Sequence, residues 1–258
     1  MKEERILKVP GAINFRELGG YKNLNNQTIK WHKLLRSGEL SRLNDQALWN
    51  LHEYGLRFDI DLRSPAEVKW SADRVFNDVT YRSYPVYPIR PNEKSDIPAN
   101  LSLKLSMEGN FYDPYIMMVL GDHSRLAFRA MFDDMLANNS EHHSLLFHCA
   151  AGKDRTGVAA MMVLSALQVP YETIRQDYLL TNVIYGSRDQ DDVRNQLTNK
   201  RIDSLINQMN SVFTVEATNL DNANNAVLKR FGDWDHYFTE GLALSKSDLT
   251  DLRKIYLE

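Results

Sequence analysis

Apolar and polar residues alternate along residues 56–62, a pattern that is typical of a strand with one apolar face. Apolar runs at 79–86 and 144–147 indicate two further strands, and the second has the character of a strand buried on both faces. Residues 13–36 predict short strands separated by a polar turn at 23–26. These segments predict a small sheet.

Helical patterns follow most of these strands and fill the C-terminal half of the chain. A helix at 45–54 ends at Gly55, and a helix at 158–167 follows the strand at 144–147 after a short loop. Further helices are predicted at 113–120, 124–137, 170–181, 191–197, 201–209, 215–231 and 247–257. The pattern favours an α/β fold in which a small, mainly parallel sheet is flanked by helices, with a helical C-terminal part.

Neither an internal repeat nor a linker interrupts the chain, so residues 1–258 are expected to form a single domain. The polar, uneven segment 186–214 is interpreted either as a helical lid over the site or as a peripheral helical insertion. A proline-punctuated stretch that runs on to about residue 110 is a candidate substrate flap, because long loops inside compact domains are usually functional or mobile.

The composition is that of an ordinary enzyme with a sizeable core. At 29.8 kDa, with 43% hydrophobic and 25% charged residues, the chain needs neither a disulfide nor a structural metal. Net charge −3 and a pI of about 6.2 give no general attraction to nucleic acid, so any attraction to phosphate must be local. One cysteine permits no intramolecular disulfide, and no Cys/His cluster has zinc spacing. We therefore expect no metal and no cofactor.

The segment 148–157 joins the last strand to the helix that follows, and it reads His-Cys-Ala-Ala-Gly-Lys-Asp-Arg-Thr-Gly. The only cysteine, Cys149, thus stands at a strand end, and Arg155 stands near the start of a helix. A helix N-terminus holds anions through unpaired backbone N–H groups, and loop N–H groups can add to them. The same field lowers a cysteine pKa from about 8.5 to roughly 3.5–7.5. We therefore predict a cysteine nucleophile beside an arginine that grips two phosphate oxygens.

These residues also have structural interpretations. An isolated cysteine is most often a small buried apolar residue, but the polar neighbours of Cys149, two glycines and a helix start argue against that here. Gly152 and Gly157 suit either view, because a loop that curls around phosphate needs a permissive backbone. Thr156 is either a helix cap alone or also a hydroxyl that reaches the Cys149 sulfur and eases its departure.

At these residues the chain resembles the cysteine-dependent protein tyrosine phosphatases, whose active loop runs His-Cys, five residues, Arg, and Ser or Thr. It is more closely similar to their bacterial group, in which Gly-Lys-Asp-Arg-Thr-Gly stands inside that loop. Further segments that resemble this group are 14–21, 35–38, 61–64, 178–182 and 230–245. The resemblance spans nearly the whole chain, although its specificity lies mostly in the loop. It implies a protein tyrosine/dual-specificity phosphatase-like fold.

The resemblance also implies roles for the loop residues. Cys149 would attack phosphorus while Arg155 holds the phosphate oxygens. His148 would orient the loop and lower the pKa of the cysteine without transferring a proton, and the structural alternative is a hydrogen-bonded core histidine. The residues expected to contact the substrate phosphate are Ala150, Ala151, Gly152, Lys153 and Thr156.

The leaving oxygen needs a proton donor, and a general acid typically contributes 10²–10⁴-fold. Many relatives carry this acid in a Trp-Pro-Asp loop, and no such tripeptide occurs in this chain. Asp154 is the first candidate, because it lies in the loop and the bacterial group has an aspartate there. Its alternative is a structural carboxylate that pairs with an arginine or with N–H groups. Asp96 and Asp113 are weaker candidates that a moving loop could bring to the site.

Lys153 adds a point charge near the substrate phosphate or near a second anionic group, unless it is simply a solvated loop lysine. The resemblance adds that loops with such a lysine occur in phosphoinositide phosphatases. They also occur in bacterial enzymes that act on phosphotyrosine, phosphoserine or phosphothreonine, and inositol lipids. The expected substrate is therefore a phosphorylated protein or a phosphoinositide.

Asp61 and Arg63 lie near the carboxyl end of the alternating strand at 56–62 and share its polar face. Open α/β sheets gather their ligands at the carboxyl ends of strands. We therefore expect both residues beside the Cys149 loop, in support of that loop or of Arg155 and without direct chemistry. The alternative is a local surface ion pair worth at most about 1 kcal/mol.

The N-terminus carries both charge signs and does not resemble a signal peptide, and no apolar run reaches about 18 residues. These features predict no membrane span and a cytoplasmic location. The alternative is secretion after removal of a preceding segment, since some bacterial relatives are secreted.

The sequence predicts a phosphatase that hydrolyses phosphate monoesters through a cysteinyl-phosphate intermediate. One alternative is a phospho-ligand-binding pseudoenzyme, which would keep the loop and lose the nucleophile or the acid; the intact Cys149, Arg155 and Thr156 argue against it. Another is a thiol enzyme that transfers sulfur or reduces arsenate. The reductase chemistry generally needs partner thiols, which this chain lacks.

Overall fold

The structure is a computed structural model and describes residues 3–107, 112–186 and 214–258. Within these residues one sheet contains β1 (Arg16–Glu17), β2 (Leu34–Ser37), β3 (Leu56–Asp61), β4 (Thr80–Ser83) and β5 (Ser144–His148). Its order is β1-β2-β5-β3-β4, and neighbouring strands are parallel except for the antiparallel pair of β1 and β2. The predicted mainly parallel sheet is confirmed, and β5 lies at its centre.

Helices flank this sheet, as predicted. The first half of the chain contains α1 (Asp45–Tyr54), α2 (Pro65–Trp70), α3 (Pro114–Leu120) and α4 (Asp122–Ala137). The second half contains α5 (Asp154–Ala166), α6 (Tyr171–Gly186), α7 (Ala217–Phe231) and α8 (Lys246–Tyr256). A helical turn at Trp234–His236 and a π-helical turn at Tyr237–Gly241 connect α7 to α8. The C-terminal part of the described chain is therefore helical.

The central strand β5 is buried on both faces. It carries three successive apolar residues, Leu145, Leu146 and Phe147, so apolar side chains point to both sides of the sheet. Leu145 and Phe147 belong to the large apolar cluster that includes residues of α3 to α8, whereas Leu146 belongs to a smaller cluster with residues of α1. The sheet thus separates two apolar layers. Its carboxyl edge, where β5 ends at His148, is left to carry polar residues.

Several predicted elements differ in their bounds. The strand predicted at 79–86 ends at Ser83, because Pro85 cannot continue the ladder. The helix predicted at 158–167 begins at Asp154, so Thr156 lies inside its first turn and is not its cap. Helix α2 was not predicted, although Ser64 and Glu67 form a capping box around Pro65.

Some predictions lie beyond what the structure covers. The helices at 191–197 and 201–209 lie outside the described residues, as does the segment 186–214 except at its two ends. The single domain stays a prediction. None of the helices in the described ranges is long and apolar enough to cross a membrane.

The burial of β5 predicts a strong effect of Leu146→Ala, because Leu146 is fully buried in the smaller apolar layer with residues of α1. The loss of buried methyl groups and the cavity left behind should lower the free energy of unfolding by about 2–5 kcal/mol. The matched variant Leu24→Ala changes a leucine that is 74% exposed and should alter it by no more than about 0.5 kcal/mol. Urea denaturation measures both values, and equal effects would contradict the placement of Leu146 in the core.

Candidate active site

The chain turns sharply at Gly152 after leaving β5. Gly152 has φ +66°, and a Cβ atom there would lie 2.5 Å from the backbone carbonyl of Ser37. A side chain at this position would displace the end of β2, so the turn requires glycine. Residues 149–155, here named the cysteine loop, therefore curl closely over the carboxyl ends of β2 and β5.

Three side chains hold the cysteine loop by its carbonyl oxygens. Asn14 Nδ2 and Arg36 Nη2 donate to the Gly152 carbonyl at 2.7 and 3.1 Å. Tyr185 OH donates to the Ala151 carbonyl at 2.6 Å. Because neighbouring elements bind these carbonyls, backbone N–H groups are available on the inner side of the loop, and that of Gly152 is directed at the thiol.

Asp177 on α6 anchors this support. It pairs with Arg16 Nε at 3.1 Å and with Arg36 Nη1 at 2.5 Å, and none of the three side chains is more than 1% exposed. Burial opposes ionisation of Asp177, but the two arginines outweigh it and lower its pKa to about 2. A buried charge pair of this kind is costly to break from one side. It ties β1 and β2 to α6 on the outer side of the loop, where Arg36 also binds the Gly152 carbonyl.

Cys149 is only 3% exposed, yet its surroundings favour the thiolate. Burial raises the pKa of the thiol, but the charge of Arg155, the hydroxyl and N–H of Thr156 and the N–H of Gly152 outweigh it. The pKa therefore lies below its ordinary value. Thr156 is fully buried, and its hydroxyl has no oxygen or nitrogen partner among the described residues, which leaves it for the sulfur.

Arg155 is held in a fixed orientation by Glu67 on α2. Its Nη1 and Nη2 donate to the two carboxylate oxygens, each at 2.7 Å, and the ring of Tyr87 lies 5.7 Å from the guanidinium carbon. Burial would raise the pKa of Glu67, but Arg155 and the Ser64 N–H lower it to about 2. Two of the five guanidinium N–H groups are thus engaged, and the other three remain for an anion.

His148 lies beneath the loop in a fully buried group of carboxylates. Its Nε2 is 3.2 Å from both Asp59 and Asp73 and 3.9 Å from Asp61, while Nδ1 contacts the Cys149 carbonyl at 3.2 Å. Burial opposes the charged imidazole, but Asp61 and Asp59 outweigh it and hold the pKa of His148 well above its ordinary value. The carboxylates therefore favour the charged, imidazolium form of His148.

Asp61 and Arg63 belong to this group and not to the surroundings of Arg155. Arg63 Nη2 lies 2.7 Å from Asp61 and 2.6 Å from Asp73, and its Nη1 lies 3.0 Å from Glu39. Both residues are almost completely buried, so the alternative of a surface ion pair is wrong. They reach the cysteine loop through His148, whereas Glu67 holds Arg155.

One group of described side chains has the spacing of a metal site. Oxygen atoms of Asp59 and Asp73 and a nitrogen of His148 lie within 4.8 Å of one another. The protein's own cations already occupy this position, since Arg63 pairs with Asp73 and His148 pairs with both carboxylates. The arrangement is suited to holding a charged histidine under the loop.

Asp154 is the first residue of α5, and Lys153 precedes it as the N-cap residue. Both side chains are partly exposed on the loop. Oδ1 of Asp154 accepts a hydrogen bond from the Tyr115 hydroxyl. Among the described residues, Asp154 forms no ion pair with an arginine, which was one of its predicted alternatives.

The other two candidate acids, Asp96 and Asp113, bind backbone groups of their own surroundings. Asp96 Oδ2 accepts from the Ser83 N–H at 2.7 Å, and Asp96 N–H donates back to the Ser83 carbonyl at 2.9 Å. Asp113 caps α3 by accepting from the N–H groups of Tyr115 and Ile116 at 2.8 and 3.3 Å. The predicted flap is described only as far as residue 107. Of the three candidate acids, only Asp154 stands in the cysteine loop.

The arrangement brings a thiolate, a guanidinium and a carboxyl group to one loop at a helix N-terminus. The sequence model of the tyrosine phosphatase family matches residues 7–258. The chain belongs to the tyrosine phosphatase family.

Curated relatives agree with this assignment. A protein of Cupriavidus necator that is classed by its name among the tyrosine-protein phosphatases is 28% identical over 252 residues, which cover 95% of this chain and 85% of that protein. A tyrosine-protein phosphatase of Nostoc commune is 30% identical over 147 residues, or 57% of this chain and 47% of the relative. The triple specificity protein phosphatase PtpB of Mycobacterium tuberculosis is 27% identical over 195 residues, with 69% of each chain covered.

Sequence reasoning missed several residues that surround the cysteine loop. Glu67 could have been found from the capping box that starts α2 at the carboxyl end of β3. Asp59 shares a strand face with Asp61, two residues on, so the period of β3 carried a signal for it. Asp73 and Tyr115 carried no local signal, because only the tertiary fold brings them to the loop.

The surroundings of Cys149 predict its ionisation. Because the chain has a single cysteine, its alkylation by iodoacetamide at different pH values reports Cys149 alone. The midpoint should lie below about 8.5, the ordinary cysteine value. Arg155→Met should move it upward, since the charge that favours the thiolate is lost. The control Arg57→Met removes an arginine that pairs with Asp78 and should leave the midpoint in place. No upward movement in Arg155→Met would contradict this account.

Proposed function

We propose that this chain hydrolyses phosphate monoesters, phosphotyrosine among them, through a cysteinyl-phosphate intermediate. The observation that carries the proposal is the arrangement of one loop, which holds the buried Cys149 and a fixed Arg155 whose charge favours the thiolate. A thiolate is the nucleophilic form of cysteine, and a guanidinium matches two phosphate oxygens. Both groups belong to one loop. Gly152 and the surrounding hydrogen-bond donors hold the backbone of this loop in place.

In the first step the Cys149 thiolate attacks phosphorus in line with the leaving oxygen. An S–P bond forms and the P–O bond to the leaving group breaks. Arg155 and the N–H groups of residues 150–156 bind the three equatorial oxygens, whose charge they stabilise in the transition state. Asp154, protonated at this stage, transfers its proton to the leaving oxygen.

In the second step water attacks the phosphorus of the cysteinyl-phosphate. Asp154, now a carboxylate, accepts the proton from the water, and the S–P bond breaks to return the thiolate and release phosphate. The Thr156 hydroxyl assists by donating to the sulfur as negative charge returns to it. His148 and the carboxylates beneath it keep the loop in the same shape through both steps. All of the positive charge that the reaction needs comes from protein groups.

We propose a broad substrate range because Lys153 adds a second cation to the loop. The ammonium group can attract a further anionic group beyond the phosphate that is cleaved. A relative from Mycobacterium tuberculosis bears the name triple specificity protein phosphatase. For this chain we accordingly propose phosphotyrosine, phosphoserine or phosphothreonine, and phosphoinositides as substrate classes.

The covalent mechanism predicts that p-nitrophenyl phosphate is hydrolysed in the presence of a chelator and that vanadate inhibits the reaction. Cys149→Ser should reduce the rate to background, because a serine hydroxyl stays protonated at neutral pH. Asp154→Asn should lower kcat by about 10²–10⁴-fold for phenyl phosphate, a poor leaving group, and much less for p-nitrophenyl phosphate. Steady-state kinetics measures each rate. Persistent activity in Cys149→Ser would sink the thiolate mechanism, and equal losses for both substrates would move the acid role away from Asp154.

The role of Lys153 predicts a selective effect of Lys153→Ala. kcat/KM should fall about tenfold for a polyphosphorylated inositol, which corresponds to about 1.4 kcal/mol, and much less for a phosphotyrosine peptide. Lys246→Ala removes a lysine at the start of α8 and serves as a control. A competition assay with both substrates measures the ratio of their kcat/KM values. An unchanged ratio in Lys153→Ala would overturn the proposed role of this lysine.

A further inference from the structure

Two buried tyrosine hydroxyls form a chain that ends on Asp154. Tyr115 on α3 is 7% exposed and Tyr178 on α6 is 1% exposed. Their hydroxyl oxygens are 2.7 Å apart, and the Tyr115 hydroxyl donates to Oδ1 of Asp154 at the start of α5. Three helices thus meet at a single carboxylate of the cysteine loop. The proposed reaction does not otherwise use either tyrosine.

The direction of hydrogen-bond donation between these hydroxyls follows from the number of protons that each one carries. Each phenol has one proton to donate, and that of Tyr115 goes to Asp154, so Tyr178 must donate to Tyr115. Burial, together with the neighbouring Tyr178 and Asp154, raises the pKa of Tyr115; burial also raises that of Tyr178. Both hydroxyls therefore remain protonated, and both remain donors, throughout the neutral pH range.

The rings that carry these hydroxyls have little freedom to move. The Tyr178 ring lies directly against Gly157, where a Cβ atom would be 2.7 Å from a ring carbon. The two rings are packed edge to face with centroids 6.5 Å apart. Asp113 caps the helix turn that presents Tyr115 and binds its backbone N–H at 2.8 Å. Each phenol is thereby held at its ring as well as at its oxygen.

Asp154 and Cys149 have two neighbours in common, Tyr87 and Tyr185. The charges of Asp154 and Cys149 both act on Tyr87 and on Tyr185, and Tyr185 donates to the loop carbonyl of Ala151. Oδ2 of Asp154 accepts no hydrogen bond from the described residues, in contrast to Oδ1. The two oxygens of this carboxyl group are therefore not equivalent.

We propose that Tyr115, supported by Tyr178, is a positioning residue that directs the transferable proton of Asp154 to Oδ2. The inference rests on the proposed function, in which Asp154 is the acid and base. Because Oδ1 already accepts from Tyr115, protonation falls to the other oxygen. The leaving group then receives its proton from Oδ2 in the first step, and the same oxygen takes a proton from water in the second. Neither tyrosine exchanges a proton with the substrate.

The test compares Tyr115→Phe and Tyr178→Phe with the parent enzyme on aryl phosphates of different leaving-group pKa. Tyr115→Phe should lower kcat about tenfold for phenyl phosphate and less than about threefold for p-nitrophenyl phosphate, because a good leaving group needs little protonation. Tyr178→Phe should act in the same sense and more weakly. KM and inhibition by vanadate should change little, since Arg155 and the loop N–H groups bind the phosphate.

Tyr171→Phe is a matched control. Tyr171 OH also donates to an aspartate, Asp221 at 2.8 Å, but it lies about 10 Å along α6 from Tyr178. This variant should show no dependence on the leaving group. A merely structural role for Tyr115 would instead slow both substrates equally and weaken the inhibition by vanadate.

A double-mutant cycle separates this inference from the proposed function. In an Asp154→Asn background, Tyr115→Phe should cause no further loss on phenyl phosphate, because the group it positions is gone. If Asp154→Asn slows both substrates equally, the proposed acid role fails and the inference fails with it. If Asp154→Asn is selective and the tyrosine variants are not, the inference alone is overturned. Should Tyr115→Phe not fold, the leaving-group dependence of Tyr178→Phe decides in the same way.

Discussion

A negative sulfur at a position that is 3% exposed is costly, and the free energy of the site depends on offsetting that cost. Burial alone would keep Cys149 as an unreactive thiol. The guanidinium of Arg155, the Thr156 hydroxyl and two backbone N–H groups reverse the balance and lower the pKa of the thiol. These groups can act only because the turn at Gly152 brings them around one point. The same groups then suit the equatorial oxygens of a phosphate.

Two buried ionic networks preserve that geometry. One connects Arg16 and Arg36 to Asp177 and holds the outer side of the loop. The other places charged His148 on carboxylates of the sheet edge and holds its base. Buried ion pairs add little net stability over apolar packing, but removing one partner leaves an uncompensated charge. We interpret both networks as devices that fix the position of the loop, which a catalytic site requires more than it requires stability.

Features that depend on local patterns in the sequence could be predicted, and most features that depend on contacts between distant residues could not. The apolar run of β5, the alternation in β3 and the glycine-bounded loop are local patterns, and from them the sheet, its helices and the loop could be predicted. The fold and the family are confirmed. Glu67 was missed although its capping box is local, because its pairing with Arg155 joins residues 88 positions apart. Asp73, Asp177 and Tyr115 could not be found, since their contacts with the loop region depend on how distant helices and strands pack.

In the proposed reaction the buried Cys149 thiolate becomes covalently phosphorylated during turnover. Rapid acid quench of the enzyme with an aryl phosphate, followed by peptide mapping in a mass spectrometer, tests it most directly. We expect a phosphate on the peptide that contains Cys149, with a burst of phenol that matches the amount of enzyme. A phosphate found on another residue, or turnover with a phenol burst and no phosphorylated cysteine, would contradict it.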